Sequence, residues 1–237
     1  MDLKFFMKPI FISGIGTGVG KSLVAAILTE ALHADYWKPV QAGFDQGTDS
    51  EWVSKRIANN SSKVHRESYK LEMAASPHIA AEGEGIRIDL SRIKNQMQKI
   101  LHQDEGMNKA DQHEPQKSSE FEKWLVIEGA GGLLAPLNDK EFVLDLIQAL
   151  QCPVILVSRN YLGSINHSLM TARVCQYFGL SVLGWIFNDQ YLNYEDEICR
   201  WTNLPKLASI PHRDSPGKDF ILEQAMSLRQ TIRQWIS

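Results

Sequence analysis

Three things are scarce in this sequence, and each scarcity excludes a class of protein. Cysteine occurs only at Cys152, Cys175 and Cys199, an odd count with no C-x-x-C spacing. That rules against a disulfide framework or a cysteine metal site and points to buried thiols in a reducing compartment. Long apolar runs are also missing. The opening "MDLKFFMKPIFISG" is interrupted by Lys4 and Lys8, unlike a signal peptide or a spanning helix. The expectation is a soluble, cytoplasmic protein without a membrane partner. Positive charge is not in excess either, with 25 Lys and Arg against 28 Asp and Glu and a net charge of −3. A nucleic-acid partner would normally leave a basic footprint, so none is expected. What remains is a chain of 237 residues, 43% hydrophobic, enough for one large compact domain over residues 1–237.

Apolar runs rich in Val and Ile alternate with segments of helical period. "KPIFISG", "DYWKPVQ", "KWLVIEGAGG", "CPVILVSRN", "SVLGWIFND" and "KLASIP" read as strands. Between them "GKSLVAAILTEALH", "DSEWVSKRIANN", "SRIKNQMQKILHQ", "FVLDLIQAL", "SINHSLMTARVCQYFG" and "YEDEICRW" read as helices, with "FILEQAMSLRQTIRQWI" closing the chain. Continuous apolar strands separated by helices imply a mostly parallel sheet covered on both faces, an α/β three-layer domain, and the glycine-rich turn ending in Lys21-Ser22 at the mouth of the first helix marks it as P-loop NTPase-like. Strand order is not readable from this pattern. The polar stretch "HQDEGMNKADQHEPQKSSE" reads as a solvated loop, and its His102 and His113 have no metal-ligand spacing.

Chemistry concentrates at one turn. "ISGIGTGVGKS" places Gly14, Gly16, Gly18, Gly20, Lys21 and Ser22 between a strand and a helix. Glycines let backbone N–H groups curl around phosphate, the lysine brings an ammonium to the terminal phosphates, and the hydroxyl can ligate Mg²⁺. The strict P-loop spacing wants glycine at position 15, where Ile15 stands; Gly14 supplies it one residue early. Ligands of open α/β sheets bind beyond the carboxyl ends of strands, which draws Lys38, Asp49 and Glu128 toward the same crevice. Lys38 precedes a proline and could instead be a surface lysine. Asp49 could be a helix cap or first-turn acid. Glu128 ends a buried strand and needs compensation; with Ser22 and Asp49 it makes an oxygen set suited to Mg²⁺.

Together these segments resemble the dethiobiotin synthetase family. The likeness rests on "SGIGTGVGKS", "WKPVQAG", "TDSEW", "SPHIAAEGEG", "VIEGAGGLLAPL", "PVILVSRNYLGSINHSLMTA" and "GWIFND", in that order between Ile12 and Asp189, and more loosely on "IPHRD". It accounts for the early glycine, because the family's loop has one extra residue. The resemblance implies ATP- and Mg²⁺-dependent closure of a ureido ring from 7,8-diaminononanoate and CO₂, through a carbamate and a carbamic-phosphoric anhydride. It implies ATP binding by Gly16, Thr17, Gly18, Val19, Gly20, Lys21, Ser22, Asn188 and Pro211, and metal binding by Ser22, Asp49 and Glu128. Lys21, Lys38 and Thr17 would be catalytic. Lys38, Ala42, Gly129, Ala130, Gly131, Gly132 and Asn166 would bind substrate, Asn166 across the interface of a homodimer. Locally, Asn188 could also be a turn residue, Ser164 or Asn166 a helix cap, and His78 and His167 packing residues.

Two departures from the family pattern bear on the site. Ala42 stands where relatives often carry a hydroxyl, and Gly18 where several carry glutamate. Other readings are a ParA- or MinD-like ATPase, a GTP-binding switch and the synthetase half of an amidotransferase. The first expects a lysine where Gly16 stands, the second an Asn-Lys-x-Asp where "FNDQY" stands, and the third many more residues for a glutaminase. The loop assignment is directly testable. Lys21→Ala should weaken nucleotide binding in a calorimetric titration, and wild-type affinity in that variant would remove the assignment.

Overall fold

The computed structural model describes residues 7–102, 123–189 and 192–236. The chain opens with strand β1 (Lys8–Gly14), helix α1 (Lys21–Leu32), β2 (Asp35–Trp37), β3 (Val40–Ala42) and α2 (Asp49–Ser54). There follow β4 (Val64–His65), β5 (Tyr69–Leu71), α3 (Pro77–Gly83), α4 (Leu90–His102) and β6 (Trp124–Glu128). The remainder comprises α5 (Val143–Leu150), β7 (Val154–Arg159), α6 (Ser164–Tyr177), β8 (Val182–Asn188), α7 (Tyr194–Thr202), β9 (Lys206–Ile210) and α8 (Lys218–Ile236).

Seven strands form one sheet in the order β4-β2-β6-β1-β7-β8-β9. Every neighbouring pair is parallel, as helical crossovers require. Alternate side chains of each strand face opposite layers. Phe11, Trp37, Leu125, Ile127, Leu156, Trp185 and Phe187 pack in one apolar cluster with Ile93 and Met97 of α4, Leu146 and Ile147 of α5, Cys175 of α6 and Ile198 of α7. Ile10, Ile12, Tyr36, Val126, Ile155, Val157 and Ile186 pack in the other with Val24 and Leu28 of α1 and Phe220, Ile221 and Leu228 of α8. The three-layer α/β expectation therefore matches the fold.

Two local expectations change. "DYWKPVQ" is not one strand but two, β2 and β3, broken at Lys38-Pro39. Pro39 has no N–H to give a ladder, and its carbonyl instead accepts from Ser68 N at 2.9 Å and Tyr69 N at 3.0 Å. The chain thereby leaves the main sheet, and β3 pairs with β5 in a separate two-stranded parallel sheet that the sequence pattern does not announce. The helix read over "DSEWVSKRIANN" ends at Ser54, because the carboxylate of Glu30 takes the N–H groups of Ala58 and Asn59, at 2.7 and 3.1 Å. The polar stretch lies, from residue 103 on, outside the described residues.

Gly184 marks where β8 loses regular register against its neighbours. Val154 pairs with Val182, yet Ile155 already pairs with Gly184. Its φ is 153°, and a Cβ added there would lie only 2.5 Å from the Pro205 carbonyl oxygen, which leaves no room for a side chain. Gly184→Ala should lower unfolding stability in urea by about 1–3 kcal/mol, the usual cost of overpacking a tight interior. A change within the error of the urea titration would contradict this account of the β8–β9 contact.

Candidate active site

The strand order decides which residues meet. β2, β6 and β1 are neighbours, so Lys38, which follows β2, Glu128, which ends β6, and the glycine loop after β1 emerge side by side. Each then turns into the same crevice. Thr48 caps α2, its hydroxyl accepting from Glu51 N at 3.1 Å. Asp49 is therefore the first-turn acid rather than the cap, and its carboxylate is released toward the crevice. Gln41 fixes that start from the other side: its Oε1 accepts from Asp49 N at 3.1 Å while its Nε2 donates to the Gly43 carbonyl at 2.7 Å.

Ser22 is the meeting point. Its Oγ lies 2.8 Å from Asp49 Oδ1 and 2.8 Å from Glu128 Oε1. Lys38 Nζ donates to Asp49 Oδ2 and, at 3.0 Å, to Glu128 Oε1. Only 5% of Lys38 and 1% of Glu128 is exposed, so the surface-lysine alternative fails. A buried carboxylate without a partner is costly. Here two carboxylates share one buried ammonium, and Tyr36 completes the arrangement by donating its hydroxyl to Glu128 Oε2 at 2.7 Å.

These contacts set protonation. Burial opposes charge on Lys38, but the Glu128 and Asp49 carboxylates outweigh it and hold its pKa above the ordinary lysine value. Burial likewise penalises Asp49, and the Lys38 ammonium with the hydrogen bonds from Lys38 and Ser22 still keeps its carboxyl below the usual range. Burial drives the Tyr36 hydroxyl well above its ordinary value, reinforced by the Glu128 charge, so it stays a donor. Lys21 differs. Burial lowers its pKa to about 8, more than the charge of Glu128 restores, and its Nζ rests on the Gly16 carbonyl at 2.8 Å.

The glycine loop enters α1 through Gly20, at φ 94° with no side-chain cap. With no side chain capping it, the first turn of α1 leaves backbone N–H groups available as anion donors. A Cβ at Gly20 would sit 1.9 Å from Asn188 Nδ2. Asn188, the last residue of β8, is buried and donates that amide to the Val19 carbonyl at 3.2 Å. It is thus a strand-end residue braced on the loop, not a turn residue; the left-handed position is Asp189, at φ 61°.

A cavity of about 710 Å³ opens over these groups. Thr17, Gly18, Gly20, Lys21, Ser22, Lys38, Ala42, Asp49, Glu128, Ala130 and Gly131 line it. Of the other residues singled out from the sequence, Gly16, Val19, Gly129, Gly132, Asn188, Pro211 and Asn166 are not in its wall. Gly16 reaches it through its carbonyl bond to Lys21. Pro211 follows β9 and is exposed. Asn166 is exposed on α6. It does not cap that helix; Gly163 stands at the cap position, and Ser164 Oγ accepts from Tyr161 N at 3.4 Å. His167 bonds the Tyr161 hydroxyl at 2.6 Å and His78 the Ser76 hydroxyl at 3.1 Å.

Sequence reasoning passed over Tyr36, Gln41 and the wall formed by Trp52 and residues 74–77. A tyrosine inside a wholly buried strand was the available signal, since its hydroxyl must find a partner. Among the described residues no group of three or more His, Cys, Asp or Glu side chains is arranged to hold a metal. Two carboxylates and a hydroxyl converge instead, a set that suits Mg²⁺ when phosphate oxygens and water complete an octahedral shell.

The family described as "AAA domain" matches residues 8–218. The chain is 44% identical over 226 residues to the ATP-dependent dethiobiotin synthetase BioD of Christiangramia forsetii, covering 95% of this chain and 98% of that relative. It is 41% identical over 224 residues to the protein of that name from Cytophaga hutchinsonii, with 94% and 97% covered. Among solved structures it is similar in fold to a MinC:MinD cell division complex from Aquifex aeolicus, at TM-score 0.57 and 11% identity over 96% of this chain and 94% of that one. A ParA family ATPase from Chlorobium tepidum gives TM-score 0.52 at 15% identity, with 97% of each chain covered.

The lowered pKa of Lys21 has a measurable sign. Above pH 8 much of Lys21 is neutral in the free protein, and a bound polyphosphate favours the ammonium. Nucleotide binding at pH 8.5 should therefore take up protons, and affinity should fall as pH rises from 8 to 9.5. Calorimetry in two buffers of different ionisation enthalpy reads the uptake, which should vanish in Lys21→Ala. Equal uptake in that variant would locate the proton elsewhere.

Proposed function

The chain belongs to the ATP-dependent dethiobiotin synthetase family, and from that premise we propose how its buried charge cluster serves closure of a ureido ring on 7,8-diaminononanoate. One amine of the substrate takes up CO₂ as a carbamate. A carbamate oxygen attacks the γ-phosphate of ATP and expels ADP, giving a carbamic-phosphoric anhydride, and the second amine then attacks its carbonyl carbon, loses a proton and expels phosphate to give dethiobiotin. The observation that carries the site assignment is the Ser22 hydroxyl, 2.8 Å from carboxylates on two separate elements that share the Lys38 ammonium.

Phosphoryl transfer needs positioning and charge stabilisation more than covalent help from the protein. The backbone N–H groups of Gly16, Gly18, Val19 and Gly20 and the mouth of α1 are the donors for the β- and γ-phosphates. Lys21 exchanges the Gly16 carbonyl for phosphate, a better acceptor for its ammonium. Ser22, Asp49 and Glu128 would hold Mg²⁺, which supplies Lewis-acid stabilisation of the phosphate charge. Lys38, already placed between the two carboxylates, can turn to the carbamate and the transferring phosphoryl group. Thr17 offers its hydroxyl in the same cavity, and Ala130 and Gly131 of the 129–132 turn offer backbone to the diamine. Ala42 lies in the cavity wall without a hydroxyl, and Ser76 on the same wall brings one. Asn188, at the end of β8, and Pro211, just after β9, would meet the adenine base.

Homodimer formation is supported by α6. On that helix Tyr177 is 85% exposed and Met170 is also exposed, with Asn166 one turn before Met170, and Leu162, 77% exposed, precedes the helix in the turn that leads into it. An apolar stripe bearing one amide suits a surface that a second copy covers, bringing Asn166 toward the partner's substrate. No helix among the described residues is long and apolar enough to cross a membrane, and the cysteines Cys152, Cys175 and Cys199 are free thiols, in keeping with a reducing cytoplasmic setting.

The decisive experiment is phosphate release from ATP with Mg²⁺ and bicarbonate, with and without the diamine. Release should depend on the diamine; release indifferent to it would favour a ParA- or MinD-like ATPase. Lys38→Ala should reduce turnover by roughly 10²–10³-fold, as loss of one transition-state donor does, while Mg²⁺-nucleotide affinity stays within a few-fold. Unchanged turnover would mean that Lys38 only neutralises its two carboxylates.

A further inference from the structure

We propose that Tyr36 is a positioning residue that makes Glu128 present a single oxygen to the divalent cation, and so tunes the site toward Mg²⁺ and against Ca²⁺. This rests on the Mg²⁺-nucleotide reading above. The two oxygens of Glu128 have separate duties. Oε1 faces the Ser22 hydroxyl at 2.8 Å and the Lys38 ammonium at 3.0 Å, whereas Oε2 accepts the Tyr36 hydroxyl at 2.7 Å. Asp49 is divided in the same way, Oδ1 toward Ser22 and Oδ2 toward Lys38.

The backbone makes the Tyr36 contact unavoidable. Tyr36 pairs in register with Val126, and Glu128 is two residues further along β6, hence on the same face of the sheet. An aromatic ring reaches such a diagonal neighbour. The ring is fully buried in the cluster that holds Ile12 and Val126, so it has no solvent-facing rotamer to escape to. Tyr36 is absent from the cavity wall while Glu128 is part of it. The phenol therefore acts on the carboxylate from behind and touches neither nucleotide nor substrate.

A carboxylate tied at one oxygen is poorly suited to bidentate ligation. Ca²⁺ takes six to eight oxygens at flexible geometry and commonly draws both oxygens of a carboxylate. Mg²⁺ demands a compact octahedron and takes one oxygen from each of one or two carboxylates. Partners that orient a metal ligand typically matter by about 10–100-fold in metal affinity. Removing the phenol hydroxyl frees Oε2 to turn toward the cavity, which helps the larger ion and blurs the geometry that suits the smaller one.

The test measures binding of ADP and of a non-hydrolysable ATP analogue by calorimetry, in EDTA, in Mg²⁺ and in Ca²⁺, for the wild type and Tyr36→Phe. Wild type should bind nucleotide more tightly with Mg²⁺ than with Ca²⁺. In Tyr36→Phe the ratio of the two affinities should shift toward Ca²⁺ by about tenfold; the affinity in EDTA reports that the variant is folded. An unaltered ratio in the variant overturns the proposal, and so does a wild type that shows no preference, an arm that needs no variant. Should Mg²⁺ fail to strengthen nucleotide binding in the wild type at all, the metal-site reading fails and this inference with it. A Mg²⁺ effect with the same ion ratio in both proteins removes only the role of Tyr36.

Discussion

The site depends on one electrostatic constraint: Asp49 and Glu128 cannot stand together in a buried crevice unless positive charge stands between them. In the free protein Lys38 provides it, bonded to both carboxylates at once. Desolvating a charge costs several kcal/mol in practice, and removal of one partner from such a cluster leaves that cost uncompensated. The cluster therefore holds its shape before any ligand arrives, which is the preorganisation that electrostatic catalysis draws on. It also sets up an exchange. A divalent ion on the same carboxylate oxygens can take over their neutralisation and release the lysine to a developing negative charge beside it.

Lys21 is kept in a different state within the same crevice. Among the described residues its ammonium bonds the Gly16 carbonyl and no carboxylate, and burial brings its pKa to about 8. An ammonium that is poorly compensated in the free protein gains most when phosphate arrives. The two lysines thus divide the work by environment: one compensates the acids that stay, the other awaits the anion that comes. Around them neutral side chains supply the rigidity. Gln41 and Thr48 fix the start of α2, Tyr36 fixes Glu128, and Asn188 reaches across from β8 to brace the loop at Val19.

Much of this was legible in the chain, because some signals are local. Alternating apolar runs and helical periods disclosed the layers, and the strands over Lys8–Gly14, Val182–Asn188 and Lys206–Ile210 lie where the pattern places them. The glycine-rich turn before Lys21-Ser22 announces phosphate by backbone chemistry alone. What escaped were interactions between distant segments. Nothing near Ser54 says that its helix must stop, since the reason is Glu30 on α1. Nothing near Pro39 says that the chain starts a second small sheet with Tyr69–Leu71. Nothing near Tyr36 names the acceptor of its hydroxyl, because that partner lies 92 positions away.

By itself, then, the sequence determined the class of fold, the phosphate-binding turn and the residue types the chemistry needs. Those follow from short-range rules of periodicity, glycine conformation and side-chain charge. The tertiary structure alone decided that β2, β6 and β1 lie side by side and that Lys38 is a buried bridge rather than a surface ammonium. It alone showed which oxygen of each carboxylate faces which partner. Strand order and hydrogen-bond direction arise from packing between segments far apart in the chain, and no window along the sequence contains both ends of such a contact.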